Sequence, residues 1–367
     1  MKRSNYILSL CALFLVLGAT LHAQDVQRFS ERQIIGTARY VGMGGAMTAI
    51  GGDPSAVLDN PAGLGLYRRS EIALTVDETI DRTHQVGSKD AYQRARFAAP
   101  HVSAIWAMGR PAKQRGMIYS NFMISANRLA NYNRDVTVEG ASTGMLPTIC
   151  LLTDGLEEGF LQDKPWDDVE IGWLSILGYE GYLIDPSDNA EWVPAVDMKT
   201  GKLSITESGT ADQYSVSWAA NISNQWYVGL SLNVPTLTYT KRVSLLETDR
   251  INSAELKSMY YVSGLGVSGS IGLIYRPIQA LRIGASFQTP TMMNLSVQTE
   301  GDMYSSIAGQ SYEVLTPSSG VMDMEMIAPL RTSVSVAAQI GECAMIAAQY
   351  DYAHAEEMED VHTMRLG

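Results

Sequence analysis

Several long segments of this chain alternate apolar and polar side chains with a period of two, and this pattern constrains the fold more than any other feature. Between residues 213 and 222 the even positions are mostly large and apolar, while the odd positions are small or polar. Two later segments repeat the pattern. The apolar faces are Tyr214, Val216, Trp218, Ala220 and Ile222; Leu281, Ile283, Ala285 and Phe287; and Val334, Val336, Ala338 and Ile340. Such alternation is typical of strands that have one face on lipid and the other on a lumen.

The composition narrows the ways in which such strands can be used. The chain has 367 residues, of which 46% are hydrophobic and only 18% are charged. Beyond the N-terminus it nevertheless lacks a run of the ~18 consecutive apolar residues that form a membrane helix. A chain that crosses a membrane without such helices does so as a barrel. A soluble β-sandwich is the alternative, but the alternating runs exceed the usual strand of about 5–6 residues.

The stretch from Gly36 to Leu66 differs from the rest because it is rich in Gly and Ala and almost free of charge. In Asp53-Pro54 and again in Asn60-Pro61, a side-chain acceptor stands directly before a proline, which predicts the start of a short helix. Sharp turns and close packing are permitted by five glycines, Gly42, Gly44, Gly45, Gly51 and Gly52. We interpret this stretch as a compact plug that fits inside the barrel.

Three motifs in the plug are specific enough to indicate a family. They are Gly42-Met43-Gly44-Gly45-Ala46, Asp53-Pro54-Ser55-Ala56 and Asn60-Pro61-Ala62-Gly63-Leu64, supported by the strand pair GLIYRPIQALRIGASFQTP. Together they resemble the FadL/TodX family of outer-membrane channels for hydrophobic compounds. The resemblance implies an all-β fold: a transmembrane antiparallel β-barrel of about fourteen strands with a small N-terminal helical plug in its lumen. It also implies a plug or gating role for Gly42, Gly44, Gly45, Asp53, Pro54, Ser55, Asn60, Pro61 and Ala62.

Residues 1–23 are predicted to be a secretory signal peptide. Lys2 and Arg3 form a basic start, an apolar run follows, and Ala23 offers a small residue for cleavage. The chain then divides into a plug at 24–69 and a barrel at 70–367. Cleavage removes two positive charges, so the formal net charge falls from −12 to −14, which argues against nucleic-acid binding. Cys150 and Cys343 remain, and we expect both thiols to be unpaired and mostly buried.

The predicted connections are unequal in length. Three of them are tight, namely Asn221–Gln225, Arg276–Ala280 and Ile340–Glu342, and three are longer and polar, namely 139–205, 246–256 and 299–322. Short turns at one end and long loops at the other are typical of outer-membrane barrels.

The insert at 139–205 carries apolar residues that are unusual for an extracellular loop. In the FadL/TodX family the corresponding loops carry the first hydrophobic capture groove. By this resemblance six residues are candidates for substrate capture: Leu151, Leu152, Phe160, Trp173, Ile176 and Leu177. The alternative is that they form only the loop's own small core, and the sequence favours neither interpretation.

Two segments depart from strict alternation. In Trp226–Thr240 the apolar face changes at Pro235, which we interpret as a plain β-bulge. Met117–Asn127 is apolar on both faces. The family resemblance implies that this strand is kinked to open a lateral exit.

The end of the chain departs from the family pattern. We find about nine alternating segments and, at Val361–Gly367, the beginning of another. An unfinished barrel leaves strand edges that lipid cannot satisfy. We therefore expect this sequence to be a C-terminally truncated fragment of a longer barrel.

The sequence offers no enzyme motif. The glycine-rich GMGGAMTAIGGD lacks a following Gly-Lys-Ser/Thr, and neither G-x-S-x-G nor H-E-x-x-H is present. The acidic and histidine residues between His354 and His362 are expected to form a solvated loop face. We therefore predict a non-enzyme without cofactor or metal.

The leading hypothesis is passive uptake of hydrophobic small molecules, such as long-chain fatty acids or aromatic hydrocarbons, across an outer membrane. The expected partners are that hydrophobic ligand and the lipid of the outer membrane of a Gram-negative-type bacterium, with the barrel as a monomer. The alternative is a docking or assembly component of a protein secretion system, a role that some relatives of the family have. A co-purifying lipid would favour the first hypothesis, and a stoichiometric protein partner would favour the second.

Overall fold

A computed structural model describes residues 27–84, 91–109, 115–142, 144–152, 166, 172–187, 192–317, 322–341, 344–354 and 360–362. The predicted signal peptide, Phe160, Cys343 and most of the acidic segment near the end lie outside these residues. Most of the described chain belongs to one 14-stranded sheet whose ladders are antiparallel. This sheet curves around a small N-terminal plug. The predicted fold class, an antiparallel β-barrel with a helical plug, is confirmed.

The strands are numbered in chain order. Their bounds are β1 Glu71–His84, β2 Ala91–Gly109, β3 Met117–Asn131, β4 Arg134–Ala141, β5 Ile184–Pro186, β6 Trp192–Pro194, β7 Thr200–Ile222, β8 Trp226–Thr248, β9 Ser253–Ile278, β10 Leu281–Gln288, β11 Thr291–Ile307, β12 Gln310–Leu315, β13 Met322–Ala328, β14 Arg331–Ile340, β15 Ala344–Ala353 and β16 Asp360–His362. The main path of the sheet is β1-β2-β3-β7-β8-β9-β10-β14-β15, and β5 pairs with β6 in a separate ribbon. Because β9 pairs with β10 near one end and with β11 near the other, β10 and β11 act as two parts of one long strand.

The helical elements are short. They are α1 Ala38–Gly42, two 3-10 turns at Ser55–Leu58 and Pro61–Leu66, α2 Met145–Leu151 and α3 Trp173–Glu180. Both helices predicted in the plug are present, as 3-10 turns. None of the helices in the described residues is long and apolar enough to cross a membrane.

Along the long strands the apolar side chains change from the outer face of the wall to its inner face, most clearly on β8. Its even-numbered residues point outward along its length, and its odd-numbered residues are mostly buried inward. From Trp226 to Val234 the outward residues are apolar, and Leu230 and Leu232 are more than half exposed. Beyond Pro235 the outward residues are mostly polar and most of the inward ones become apolar. We call the wall level with Trp226–Val234 the lower half, and the wall beyond Pro235 the upper half.

The prediction of a β-bulge at Pro235 is wrong. The β7–β8 ladder keeps one register along its whole length, and Gln213 lies directly opposite Pro235. The β8–β9 ladder also keeps its register and lacks only the pairs at Val234 and Pro235. The apolar face therefore changes because the surroundings change from the lower to the upper half, while the side chains keep their directions.

Two of the long connections are shorter than predicted. In place of a loop at 246–256, β8 continues to Thr248 and β9 begins at Ser253, which leaves a turn of residues 249–252. Much of 299–322 is the hairpin formed by β11 and β12. The tight turns predicted at Asn221–Gln225 and Arg276–Ala280 are confirmed.

The lateral exit predicted in Met117–Asn127 is also absent from the structure. The β3–β7 ladder shifts register between Met117 and Tyr119, at the start of the segment. From Tyr119 to Asn127, however, β3 pairs without interruption with β2 on one side and with β7 on the other. A concave apolar groove of about 440 Å³ lies on the outer face here, but the ladders behind it are intact. This segment is apolar on both faces because its outer face is exposed and its inner face, through Met123, packs against Val57 and Leu64 of the plug.

Candidate functional site

The plug fills the lumen of the lower half, and Asn60 fixes it there. The Asn60 Oδ1 atom accepts a hydrogen bond from the Ala62 amide at 3.0 Å, which is the predicted helix cap. Its Nδ2 group donates to the Thr48 carbonyl at 2.8 Å and lies 3.3 Å from the Leu273 carbonyl of β9. Asn60 therefore both caps the second 3-10 turn and joins the plug to the wall.

Polar side chains of the wall hold the plug on several sides. From β3, the Asn121 Nδ2 group donates to the carbonyls of Leu64 and Tyr67, each at 2.8 Å. From β10, Arg282 donates to the Ile50 carbonyl at 2.6 Å. From β15, Gln349 Oε1 accepts from the Thr48 amide at 3.0 Å. Since β3 is far from β10 and β15 in the sheet, these contacts require the wall to curve around the plug.

Three glycines of the wall let the plug backbone approach it closely, and the sequence analysis missed them. A Cβ atom at Gly272 would lie 1.9 Å from Asn60 Oδ1. A Cβ atom at Gly229 would lie 2.3 Å from the Pro61 carbonyl carbon, and one at Gly284 would lie 2.5 Å from the Thr48 carbonyl oxygen. The signal that could have found them is a glycine in the interior of an otherwise regular strand, which often marks a close backbone approach.

The remaining plug candidates form an internal brace. The Asp53 carboxylate accepts from the Thr37 hydroxyl at 2.8 Å and from the Ser55 amide at 2.9 Å. The Ser55 hydroxyl accepts in turn from the Thr37 amide at 2.9 Å. This brace joins the start of α1 to the first 3-10 turn, which begins directly after Pro54.

The glycines of the plug differ in whether their backbone φ angle favours glycine. Gly44 and Gly45 have φ angles of +61° and +77°, in the left-handed region that favours glycine. Gly42 ends α1 and has no such angle. Nothing in these contacts tests a gating role, which stays a prediction.

A belt of buried polar side chains surrounds the lumen above the plug. It contains a histidine whose two ring nitrogens contact Asn127 and Ser103. On β7 and β8 the Ser215 hydroxyl donates to Asn233 Oδ1 at 2.9 Å. We call this the polar belt; its residues are His101, Ser103, Ser125, Asn127, Gln213, Ser215, Ser217, Ser231, Asn233, Ser268, Ser270 and Gln288. An apolar solute would gain no apolar contact from these side chains and would displace their hydrogen bonds.

The N-terminal segment, residues 27–35, occupies the lumen at and above the level of the polar belt. The Gln33 amide donates to the Leu129 carbonyl at 2.8 Å, and Arg32 donates to Gln288 Oε1 at 2.7 Å. Phe29 packs edge to face against Tyr132 and Tyr239 of the wall. A cavity of about 40 Å³ remains beside it. Since a cavity that binds benzene measures about 150 Å³, this cavity is too small for a single aromatic ring.

A cap formed by α2 and α3 closes the top of the upper half. Ile176 and Leu177 are fully buried in it and pack with Leu245 and Met303 of the wall. A wholly buried carboxylate, that of Glu247 on β8, accepts hydrogen bonds from the amides of Met145 and Leu146 at 2.9 and 2.8 Å. The wall thus holds the first turn of α2.

The capture candidates are divided by this arrangement. Leu152 is 59% exposed and Leu151 and Trp173 are half-buried, while Ile176 and Leu177 belong to the core of the cap. Phe160 lies outside the described residues. Ile176 and Leu177 thus lie in a core that the cap shares with the wall, and a capture role for any of these residues stays a prediction.

The cap also contains the free thiol of Cys150. Burial raises its pKa to about 12, so the thiol stays protonated and unreactive at neutral pH. Within the described ranges, no cluster of His, Cys, Asp and Glu side chains is arranged as a metal site.

No protein-family model and no curated protein matches this chain. Among solved structures, the crystal structure of the Ralstonia pickettii toluene transporter TbuX is similar at 15% identity and a TM-score of 0.40, over 86% of this chain and 70% of that one. The CymD monoaromatic hydrocarbon channel is similar at 9% identity and a TM-score of 0.22, over 89% of this chain and 94% of that one.

Proposed function

We propose that this protein is an outer-membrane channel for the passive uptake of hydrophobic small molecules, such as long-chain fatty acids or aromatic hydrocarbons. The observation that carries the proposal is that the apolar side chains change from the outer to the inner face along the strands. The lower half presents apolar side chains outward, as a membrane-spanning wall does, and the upper half presents them inward, toward a lumen. A chain of this design holds an apolar compartment above a plugged membrane segment.

The chemistry of the lumen supports uptake of apolar rather than polar solutes. Burying apolar surface stabilises a bound solute by about 25 cal/mol per Å², and the upper half offers such surface through Leu237, Val262 and Leu295. The polar belt and the plug below it oppose further descent. An apolar solute would therefore leave the lumen sideways, above the belt.

A seam in the wall suits such an exit. In the described residues, the β2–β3 ladder runs only from His101 to Gly109, and residues 91–98 of β2 pair with β1 alone. The neighbouring β4 pairs instead with β7. An ion pair of 2.9 Å between Arg96 and Asp135 crosses this gap, which we call the β2–β4 seam. Pro100, which has no ladder donor, stands where the seam begins.

Uptake measurements in cells test the proposal. A strain without its own hydrophobic channel would express the protein, and uptake of radiolabelled palmitate and toluene would be measured against the empty vector. We expect faster uptake of at least one probe. If neither is taken up faster, and the protein extracted from the membrane carries a stoichiometric protein partner instead of lipid, the docking alternative replaces the proposal.

A crosslink tests the seam separately. In the double variant Arg96→Cys/Asp135→Cys, a short thiol crosslinker would join β2 to β4, and uptake should fall to the empty-vector level. The matched control joins two directly opposed residues of an intact ladder, Ser204→Cys/Ser244→Cys, and should leave uptake unchanged. Normal uptake through the crosslinked seam would remove the seam from the path and leave the channel proposal in place.

A further inference from the structure

Arg28 of the N-terminal segment lies in an aromatic and acidic cage of the upper half. Its guanidinium carbon is 4.7 Å from the centre of the Tyr239 ring and 5.8 Å from that of the Tyr132 ring. One of its nitrogens is 3.0 Å from Glu207 Oε2. The Tyr239 hydroxyl donates to the other carboxylate oxygen at 2.8 Å. One cation is thus held by two ring faces and a carboxylate.

The cage belongs to the wall, whereas the cation comes from the plug side. Glu207 lies on β7, Tyr239 on β8, and Tyr132 between β3 and β4. We call these three residues the cation cage. The side chain of Glu207 is only 8% exposed. The Tyr132 hydroxyl is buried and has no hydrogen-bond partner among the residues that the structure describes, so the cage has polar capacity that Arg28 does not use.

The cage limits what can replace the N-terminal segment. A buried carboxylate that loses its ion-pair partner is strongly unfavourable. A neutral hydrocarbon in the place of Arg28 would leave Glu207 with the hydrogen bond from Tyr239 and the charge of Lys241, but without its ion pair. A cation over the faces of tyrosine rings is favourable, and quaternary ammonium groups are recognised in this way. The free hydroxyl of Tyr132 adds one donor or acceptor for a head group that bears polar atoms.

We propose that the cation cage binds the positively charged head of an amphiphilic solute, and that Arg28 is a self-ligand that this solute displaces. The inference rests on the proposed uptake function and names a substrate class for it: apolar compounds that carry an ammonium or guanidinium group. The tail of such a solute would lie against Leu237, Met293 and Leu295, which pack in the same cluster as Tyr132 and Tyr239.

Calorimetric titration of the purified protein tests the cage with phenylpropyltrimethylammonium as the probe. The comparison ligand is its uncharged analogue, in which carbon replaces the nitrogen. In the Arg28→Ala variant the self-ligand is gone, and the ammonium probe should bind at least about tenfold more tightly than to the wild type. Adding Glu207→Gln should reduce that affinity by about tenfold and leave binding of the uncharged analogue unchanged.

A matched control removes an arginine from a different ion pair of the same wall. Arg128 donates to Asp212 at 2.9 Å, and Arg128→Ala should leave probe affinity at the wild-type level. Equal binding of probe and analogue to Arg28→Ala, or a probe affinity that Glu207→Gln does not change, would overturn the proposal.

A wild-type measurement covers the case in which Arg28→Ala does not assemble. Saturating ammonium probe should release the N-terminal segment and expose Arg28 to trypsin, and mass spectrometry would detect cleavage after this residue. The uncharged analogue should not promote cleavage. Absence of probe-dependent cleavage would contradict displacement of Arg28. Palmitate and toluene carry no cationic head group. Their uptake can therefore support the channel proposal even if the cation cage does not bind the ammonium probe.

Discussion

The lower and upper halves of the wall are made of the same strands, yet they use their two faces in opposite ways. On β8, Leu230 is exposed outward and Asn233 is buried inward, whereas farther along Thr238 is exposed outward and Leu245 is buried inward. The register does not change between them. The lower stretch from Trp226 to Val234 matches the roughly 9–11 residues with which a tilted strand crosses a bilayer.

This difference shows that the alternation of a strand fixes its geometry but not the identity of its solvent. Period two alone assigns residues to two faces. Which face is apolar depends on whether the outside is lipid or water and on whether the inside holds a hydrogen-bonded plug or an apolar core. A change of apolar face within one strand therefore indicates a change of environment as readily as a bulge.

The largest effect is expected from an arginine placed on the outer face of each half. Leu230→Arg should destabilise the protein in lipid vesicles by about 2–4 kcal/mol, because the charge would lie in the apolar lower half. Thr238→Arg lies on the same face of the same strand and should change the free energy of unfolding by less than about 0.5 kcal/mol. Urea unfolding in vesicles measures both. Similar losses in the two variants would mean that the outer faces do not differ in environment.

A smaller effect is expected inside the lower half, where the plug touches the wall. Gly272→Ala would place a Cβ atom 1.9 Å from Asn60 Oδ1, and relief of that overlap should cost about 1–3 kcal/mol and loosen the plug. The control on the same strand is Gly269→Ala, whose Cβ atom would lie 3.9 Å from its nearest neighbour. Ion conductance in planar bilayers should rise for Gly272→Ala alone. A closed channel in both variants would show that the close contact between Gly272 and Asn60 is not needed to keep the plug in place.

The parts of this molecule that the sequence predicted are those that depend on local chemistry. Alternation predicts the strands, and Asn60 followed by Pro61 predicts the cap, since each signal depends on neighbouring residues alone. Gly272 and Glu247 were missed because their partners are distant in the sequence: Asn60 for the first, and Met145 and Leu146 for the second. Only the assembled wall brings these groups together.

Pro235 and the 117–127 strand were misread for a different reason. In both cases an unusual face pattern was attributed to a distorted backbone. The ladders are regular at Pro235 and from Tyr119 to Asn127, where the neighbours differ, and the β3–β7 register shifts only near the start of the segment, between Met117 and Tyr119. Met123 is apolar because it meets Leu64 of the plug, and Leu237 because it meets the apolar layer above the belt. Sequence patterns register burial, and they do not tell which part of the molecule provides it.

The smallest expected effect is a change of the free energy of unfolding with pH, and it arises from Asp59 in the plug. Burial raises the pKa of this carboxyl from 3.8 to about 6, although the Tyr40 hydroxyl donates to it at 2.7 Å and Arg32 lies nearby. The folded protein therefore binds this proton more tightly than the unfolded chain does. Stability should fall as the pH rises from about 4 to about 6 and then level off, with a loss of about 2 kcal/mol over this interval.

Asp59→Asn removes the titrating group and should abolish this fall, as measured by urea unfolding in vesicles at pH 4, 5, 6 and 7. Asp185→Asn changes an exposed carboxyl on β5 and should keep the wild-type dependence of stability on pH. A slope in Asp59→Asn equal to that of the wild type would place the titration elsewhere. If the slope disappears in Asp59→Asn and persists in Asp185→Asn, the pH dependence arises in the plug, within the lower half.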